Sequence, residues 1–196
     1  MDRLKIAVGD NDEEILKSIQ IMLMQMGFNV VATEKSGSSL LRKIRSINPD
    51  VALIDVNLKG MSAFEISEVV EKQGICPCII TIKGSVEEYF DKLKSKLVFA
   101  YIQKPFNQTS LRYAIESAYF NYKNLMDMER KLKERKLIDK AKGLIMNKYN
   151  LTEDKAYEYI RKKSMDKSMS MAKIAQVIID IIEQNDKNGG DKNEKD

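Results

Sequence analysis

Apolar residues fall along this chain in two alternating rhythms. Short, largely apolar runs recur at LKIAVG (4–9), FNVVA (28–32), VALID (51–55), CIITI (78–82) and VFAYI (98–102). Between them the spacing opens to three and four. Residues 13–27 place Ile15, Leu16, Ile19, Leu23 and Met26 on one side before Gly27, and residues 37–47 place Leu40, Leu41, Ile44 and Ile47 on one side before Asn48-Pro49. Runs of four to six bounded by turn residues predict buried strands, and three-four spacing predicts amphipathic helices. Further helices are predicted over residues 62–72 and 85–96. The strands do not alternate polar with apolar, so both faces of the sheet are covered, as in a parallel sheet with helices on either side.

Beyond Thr109 the pattern changes. Helical spacing continues to Tyr149 without a proline, and Ile115, Ala118, Tyr122, Leu125 and Leu132 keep a near-heptad interval. This predicts a short two-stranded coiled coil joining two domains; the alternative is one helix packed on its own first domain. Residues 152–165 and 170–183 predict two more helices, with Thr152 and Ser170 as N-caps. Residues 185–196, NDKNGGDKNEKD, hold no apolar residue and predict a disordered tail. The expected domains are 1–122, a linker at 123–136, a three-helix module at 137–184, and the tail.

Charge separates the two halves. Residues 1–122 carry 15 basic and 15 acidic side chains; residues 123–184 carry 15 and 10, a net of +5. That asymmetry points to a nucleic-acid partner for the second half. The chain has no histidine, which excludes His-based acid–base chemistry, Ser-His and Cys-His pairs and histidine metal ligation. Cys76 and Cys78 stand too close to staple a fold and lack zinc-site spacing. With a charged N-terminus and no long apolar run, the protein is expected to be cytoplasmic, without a membrane partner.

The candidate chemistry lies at the carboxyl ends of the strands, where parallel sheets bind ligands. Asp10, Asp12, Asp55 and Lys104 all fall there and are expected to share one crevice. Clustered carboxylates with one lysine can hold Mg²⁺ and accept a phosphoryl group, the metal taking hard oxygen ligands. With GDND (9–12), PDVALIDVNLKGM (49–61) and AYIQKPF (100–106), residues 1–122 resemble the receiver domain of two-component response regulators. The resemblance implies a flavodoxin-like α/β fold, with Asp55 as phosphoacceptor and Lys104 as the supporting lysine. It makes Tyr101 the aromatic switch residue and gives metal ligation to Asp10, Asn11, Asp55 and the Asn57 carbonyl. Two departures are plain. Asn11 stands where receivers carry a second acid, which weakens any Mg²⁺ site unless Asp12 substitutes. The switch hydroxyl position falls on Ile82, with Thr81 one residue early, so a slip or bulge would be needed to bring Thr81 round. Gly9 and Ala63 are milder oddities.

AKGLIM (141–146), LTEDKAY (151–157), IRKKSMD (160–166) and the Ile-Ala of 174–175 resemble the ANTAR domain, a three-helix RNA-binding antitermination module. The residues themselves agree, and the expected RNA contacts fall on Lys140, Lys142, Gly143, Lys148, Tyr157, Arg161, Lys162 and Lys163. The cations would meet phosphates and Tyr149 or Tyr157 would stack on loop bases. Gly143 inside a helix costs about 1 kcal/mol against alanine, which suggests close approach of a helix or of RNA. The reading is a non-enzymatic response regulator that binds paired hairpins in a nascent leader transcript as a homodimer, with a sensor histidine kinase as a possible input. The alternatives are a DNA-binding regulator, against which the missing recognition-helix turn argues, and a protein-interaction adaptor, against which the +5 argues.

Overall fold

The structure, a computed structural model, describes residues 3–89, 91 and 99–190, with side chains to Gln184. The chain divides into two compact units, residues 1–125 and 126–196.

The first unit is a five-stranded, wholly parallel sheet. Its strands are β1 (Lys5–Gly9), β2 (Asn29–Glu34), β3 (Val51–Asp55), β4 (Cys78–Lys83) and β5 (Ala100–Lys104). The spatial order is β2-β1-β3-β4-β5. The helices are α1 (Glu13–Gln25), α2 (Gly37–Ile47), α3 (Ala63–Lys72) and the start of α4 (Gln108–Tyr149). Because strand residues alternate in direction, each apolar strand feeds two cores. Ala7, Ile54, Ile80 and Ile82 pack with Leu40, Leu41 and Ile44 of α2 and Ile66 and Val70 of α3. Ile6, Val8, Leu53 and Ile79 pack with Leu16, Ile19 and Leu23 of α1 and Leu111, Ile115 and Ala118 of α4. The order reverses direction between β1 and β3, so the loops following those two strands flank the crevice where such sheets bind ligands.

The predicted boundaries hold within two residues for most elements, and the departures have local causes. Ser62 caps α3 in a reciprocal pair with Glu65, and Gly27 ends α1 at φ +87°. Of the helix expected over 85–96, a 3₁₀ turn occupies Glu87–Tyr89, and most of the remainder lies outside the described residues. Ile115, Ala118 and Tyr122 are buried. Ile115 and Ala118 belong to the sheet's own core, and Tyr122 meets Phe99 edge to face. These three are therefore not free for a coiled-coil seam, which corrects the expected run. Leu125 and Leu132, the remainder of that interval, are exposed, and so is Met128 between them.

In the second unit α4 continues to Tyr149 and is followed by α5 (Glu153–Lys167) and α6 (Met171–Gly190). Ala141 and Ile145 of α4, Ala156 and Ile160 of α5, and Ile174, Ala175 and Ile179 of α6 form its core. Ser170 accepts from the Lys173 amide as expected, whereas Thr152 occupies the N-cap position without a side-chain bond. α6 extends over 185–190, where a disordered tail was expected. Helix propagation needs only successive backbone bonds once a packed helix exists, so polar residues continue it. Residues 191–196 lie outside the described residues.

Candidate functional site

Three of the four strand-end residues converge. Asp10 follows β1, Asp55 ends β3 and Lys104 ends β5. Asp10 and Asp55 are almost wholly buried. Lys104 Nζ donates to Asp10 Oδ2 at 2.5 Å and to Asp55 Oδ1 at 2.8 Å. Its side chain is only 11% exposed, so one ammonium offsets part of the charge of two carboxylates largely out of water, where an unpaired charge would be costly. The remaining oxygens are also used. Asp10 Oδ1 accepts from the Asp12 amide at 3.0 Å, and Asp55 Oδ2 accepts from the Asn57 amide at 3.3 Å. Asp55 thus sits behind an apolar run because its backbone is central in the sheet while its carboxylate reaches partners at the strand ends.

The fourth residue is elsewhere. Asp12 Oδ1 accepts from the Glu14 and Ile15 amides and caps α1, so it does not replace the missing acid. Asn11 spans the two loops instead: its Nδ2 donates to the Asn57 carbonyl oxygen and its Oδ1 accepts from the Lys59 amide at 2.8 Å. The Asn57 carbonyl, expected as a metal ligand, is thereby occupied by an N–H donor. A divalent cation needs oxygen ligands turned toward it, and the donor set as arranged does not fit one.

Thr81 corrects a second expectation. Its hydroxyl donates to Asp55 Oδ1 at 3.5 Å, the outer limit of a hydrogen bond. No slip is needed, because β3 and β4 pair in register with Asp55 opposite Thr81. Register partners point to the same face. Ile82 points to the other face and is fully buried in the α2–α3 core. Tyr101 lies on the edge strand β5, half exposed. Gly9 is explained by packing: a Cβ there would stand 2.5 Å from Leu40 Cδ2. Cys76 and Cys78 are buried and unbridged, and the neighbouring Cys78 thiol, together with burial, pushes the Cys76 thiol well above its usual range.

In the second unit the predicted cations divide. Lys142 is bound to Asp139 and Glu153, each at 2.8 Å; both partners raise its pKa, Asp139 the more. Lys140 is bound to Glu183 at 2.6 Å. These two lysines tie α4 to α5 and to α6. Lys148, Arg161, Lys162 and Lys163 are exposed and carry no ion pair among the described residues. Tyr157 is exposed, one turn before Arg161. Two exposed residues missed from sequence form a second flank of α5 with Lys163: Lys155 and Tyr159, the latter 42% exposed, with Lys163 Nζ 5.7 Å from its ring centre. The interval Lys155–Tyr159–Lys163 repeats every four residues, a signal that was readable. Gly143 lies exposed on α4, and a Cβ added there meets nothing within 4 Å. No helix crowds it.

A doubly wound parallel sheet with two strand-end carboxylates bridged by one lysine defines a receiver domain. The response regulator receiver family model matches residues 6–116, more than half of the chain, and the ANTAR domain model matches residues 126–179. The chain belongs to the response regulators and carries a C-terminal ANTAR domain. It is 23% identical over 185 residues to the transcriptional regulatory protein PdtaR of Mycobacterium tuberculosis, covering 91% of this chain and 90% of that one. It is 28% identical to the alkaline phosphatase synthesis transcriptional regulatory protein PhoP of Bacillus subtilis, covering 58% of this chain and 47% of PhoP. A response regulator receiver domain from Clostridium thermocellum superposes with a TM-score of 0.57 at 25% identity, over 62% of this chain and 98% of that one. No helix among the described residues is long and apolar enough to cross a membrane.

Proposed function

We propose that this response regulator binds hairpin RNA in nascent leader transcripts through its ANTAR domain and acts as a transcription antiterminator. ANTAR domains as a family are RNA-binding antiterminators. The observation that carries the reading to this chain is the solvent face of α5. There Lys155, Tyr159 and Lys163 are exposed along one flank and Tyr157 and Arg161 along the other, with Lys162 between them. Cations for phosphates beside flat rings for unpaired bases are what RNA loops require. Lys148 and the bare surface at Gly143 extend the proposed contact along α4. Lys140 and Lys142 act by holding the helices together.

The receiver is the regulatory half, and receivers in general take input from kinases. Asp55 is the carboxylate a phosphoryl donor would meet, with Lys104 and Thr81 on its oxygens. The pocket's internal pairing favours control through protein association over metal-assisted phosphorylation. The three-four interval of Leu125, Met128 and Leu132, all exposed, supports a homodimer. Two modules on one dimer would engage paired hairpins at high effective concentration.

The test is a titration of the full-length protein with a labelled two-hairpin leader RNA, with and without acetyl phosphate and Mg²⁺, and with duplex DNA as competitor. Salt-sensitive RNA binding that duplex DNA does not displace, unchanged by acetyl phosphate, is the expected result. Preference for the duplex would move the protein to the DNA-binding class. Absence of both would leave the adaptor reading.

A further inference from the structure

We infer that the Asn11 side chain performs here the loop-bridging task of a divalent cation, and that by doing so it closes the receiver pocket to Mg²⁺. The amide uses both ends. Nδ2–H donates to the Asn57 carbonyl and Oδ1 accepts from the Lys59 N–H. Only a group with a donor and an acceptor on one planar carbon can make both bonds, and an aspartate could make one. The orientation is fixed by the same polarity. A flipped amide would set oxygen against the Asn57 carbonyl and N–H against the Lys59 N–H, losing both bonds. A cation entering between the loops would have to displace that N–H from the Asn57 oxygen.

The surroundings agree. Asp10 has each oxygen engaged by a donor, and so has Asp55. Two carboxylates around one ammonium leave a single formal negative charge, and fewer ligand charges mean weaker binding of a hard dication. The loop after β3 is also held from its far side. The Gly37 N–H donates to the Lys59 carbonyl at 2.9 Å, and Ser36 and Lys59 form a parallel bridge. A Cβ on Gly37 would stand 2.0 Å from the Met61 carbonyl oxygen, so that approach requires glycine. The Lys59 residue is thus gripped at its N–H by Asn11 and at its C=O by Gly37, and the loop is set without an ion.

The experiment uses the full chain, dialysed free of metal. Mg²⁺ is titrated by calorimetry, by thermal melting and by following the Lys59 amide in NMR spectra. The wild-type protein is expected to give no saturable heat, no change in melting temperature and no movement of Lys59 at millimolar Mg²⁺. Asn11→Asp is expected to bind Mg²⁺ at least about tenfold more tightly, with a melting temperature that rises with Mg²⁺. Asn11→Ala, which removes the bridge without adding charge, is expected to speed hydrogen exchange at the Lys59 amide about tenfold. Saturable Mg²⁺ binding by the wild type that shifts Lys59 would overturn the inference. So would an Asn11→Asp protein that folds but gains no Mg²⁺ affinity, or unchanged Lys59 exchange in Asn11→Ala. None of these measurements involves RNA, so their failure is separate from failure of the antiterminator reading.

Discussion

The two units place their charges in opposite ways. In the receiver the decisive charges point inward: Asp10, Asp55 and Lys104 are nearly dry and bonded to one another. In the ANTAR unit the ion pairs of Lys140 and Lys142 lie at the surface and link neighbouring helices. Lys148 of α4 and the cations of α5 stand in water, unpaired among the described residues. Inward charges are interdependent, because removing one strands its partners in low dielectric. Outward charges act singly and weaken as salt rises. The contrast is sharpest at Lys104. Lys104→Met is expected to destabilise the receiver by about 3 kcal/mol, the usual cost of stranding one side of a buried pair. Urea unfolding would measure it. Asp55→Asn in the Lys104→Met background should recover part of that loss. If the two losses simply add, the charges are not coupled and the contrast fails.

Gly143 tests the outward side most sharply. With open space around it, Gly143→Ala should stabilise α4 by about 1 kcal/mol, seen as a higher melting temperature, while weakening hairpin RNA binding if RNA approaches there. A stabler protein with unchanged RNA affinity would remove Gly143 from the interface. Replacing Arg161 and Lys162 together with alanine should change stability by less than about 0.5 kcal/mol. The same change should lower RNA affinity and flatten its dependence on salt by roughly one unit of slope per lost phosphate contact. Lys142→Met should do the reverse: a small loss of stability in thermal melting, and a salt slope equal to wild type.

How much of this was legible beforehand also divides by region. The strand runs stated the parallel sheet, because a strand buried on both faces has no other pattern. They also brought Asp10, Asp55 and Lys104 to one end, because topology alone collects strand termini. What the sequence did not show was side-chain polarity and register. Counting along one strand admits Thr81 to the site only through a slip or bulge. The deciding fact was its cross-strand pairing with Asp55, which depends on where β3 and β4 align. Asn11 read as a missing charge, although its amide makes two bonds an acid could not make together. On α4 the near-heptad interval was real, but an apolar helical stripe is the same whether it meets a second chain or its own sheet. Ile115 and Ala118 meet the sheet. Lys140 looked like a phosphate ligand because the acid that holds it, Glu183, lies 43 residues away. Lys142 is held by Glu153, 11 residues away, and also by Asp139 only three residues before it, a pair that was readable.

Glu13 gives the smallest expected effect and places a boundary on the comparison. It lies at the start of α1, exposed, bonded to Lys35 at 2.8 Å and to Lys17 at 3.1 Å. Those ammonium groups, Lys35 foremost, lower its pKa from 4.5 to about 2. A carboxyl lowered on folding stabilises the folded state above its unfolded pKa, and the contribution is lost as pH falls through the folded value. The stabilisation should therefore be complete near neutrality and fade between about pH 4.5 and 2. Comparing the melting temperatures of wild type and Glu13→Gln across that range would show a small gap at pH 7 that closes on acidification. Because the pair is exposed, salt should shrink the gap at pH 7 as well. Salt should leave the Lys104→Met loss largely intact, since buried charges are screened far less. A Glu13 gap that survived high salt would mean that burial is not what separates the two kinds of charge in this protein.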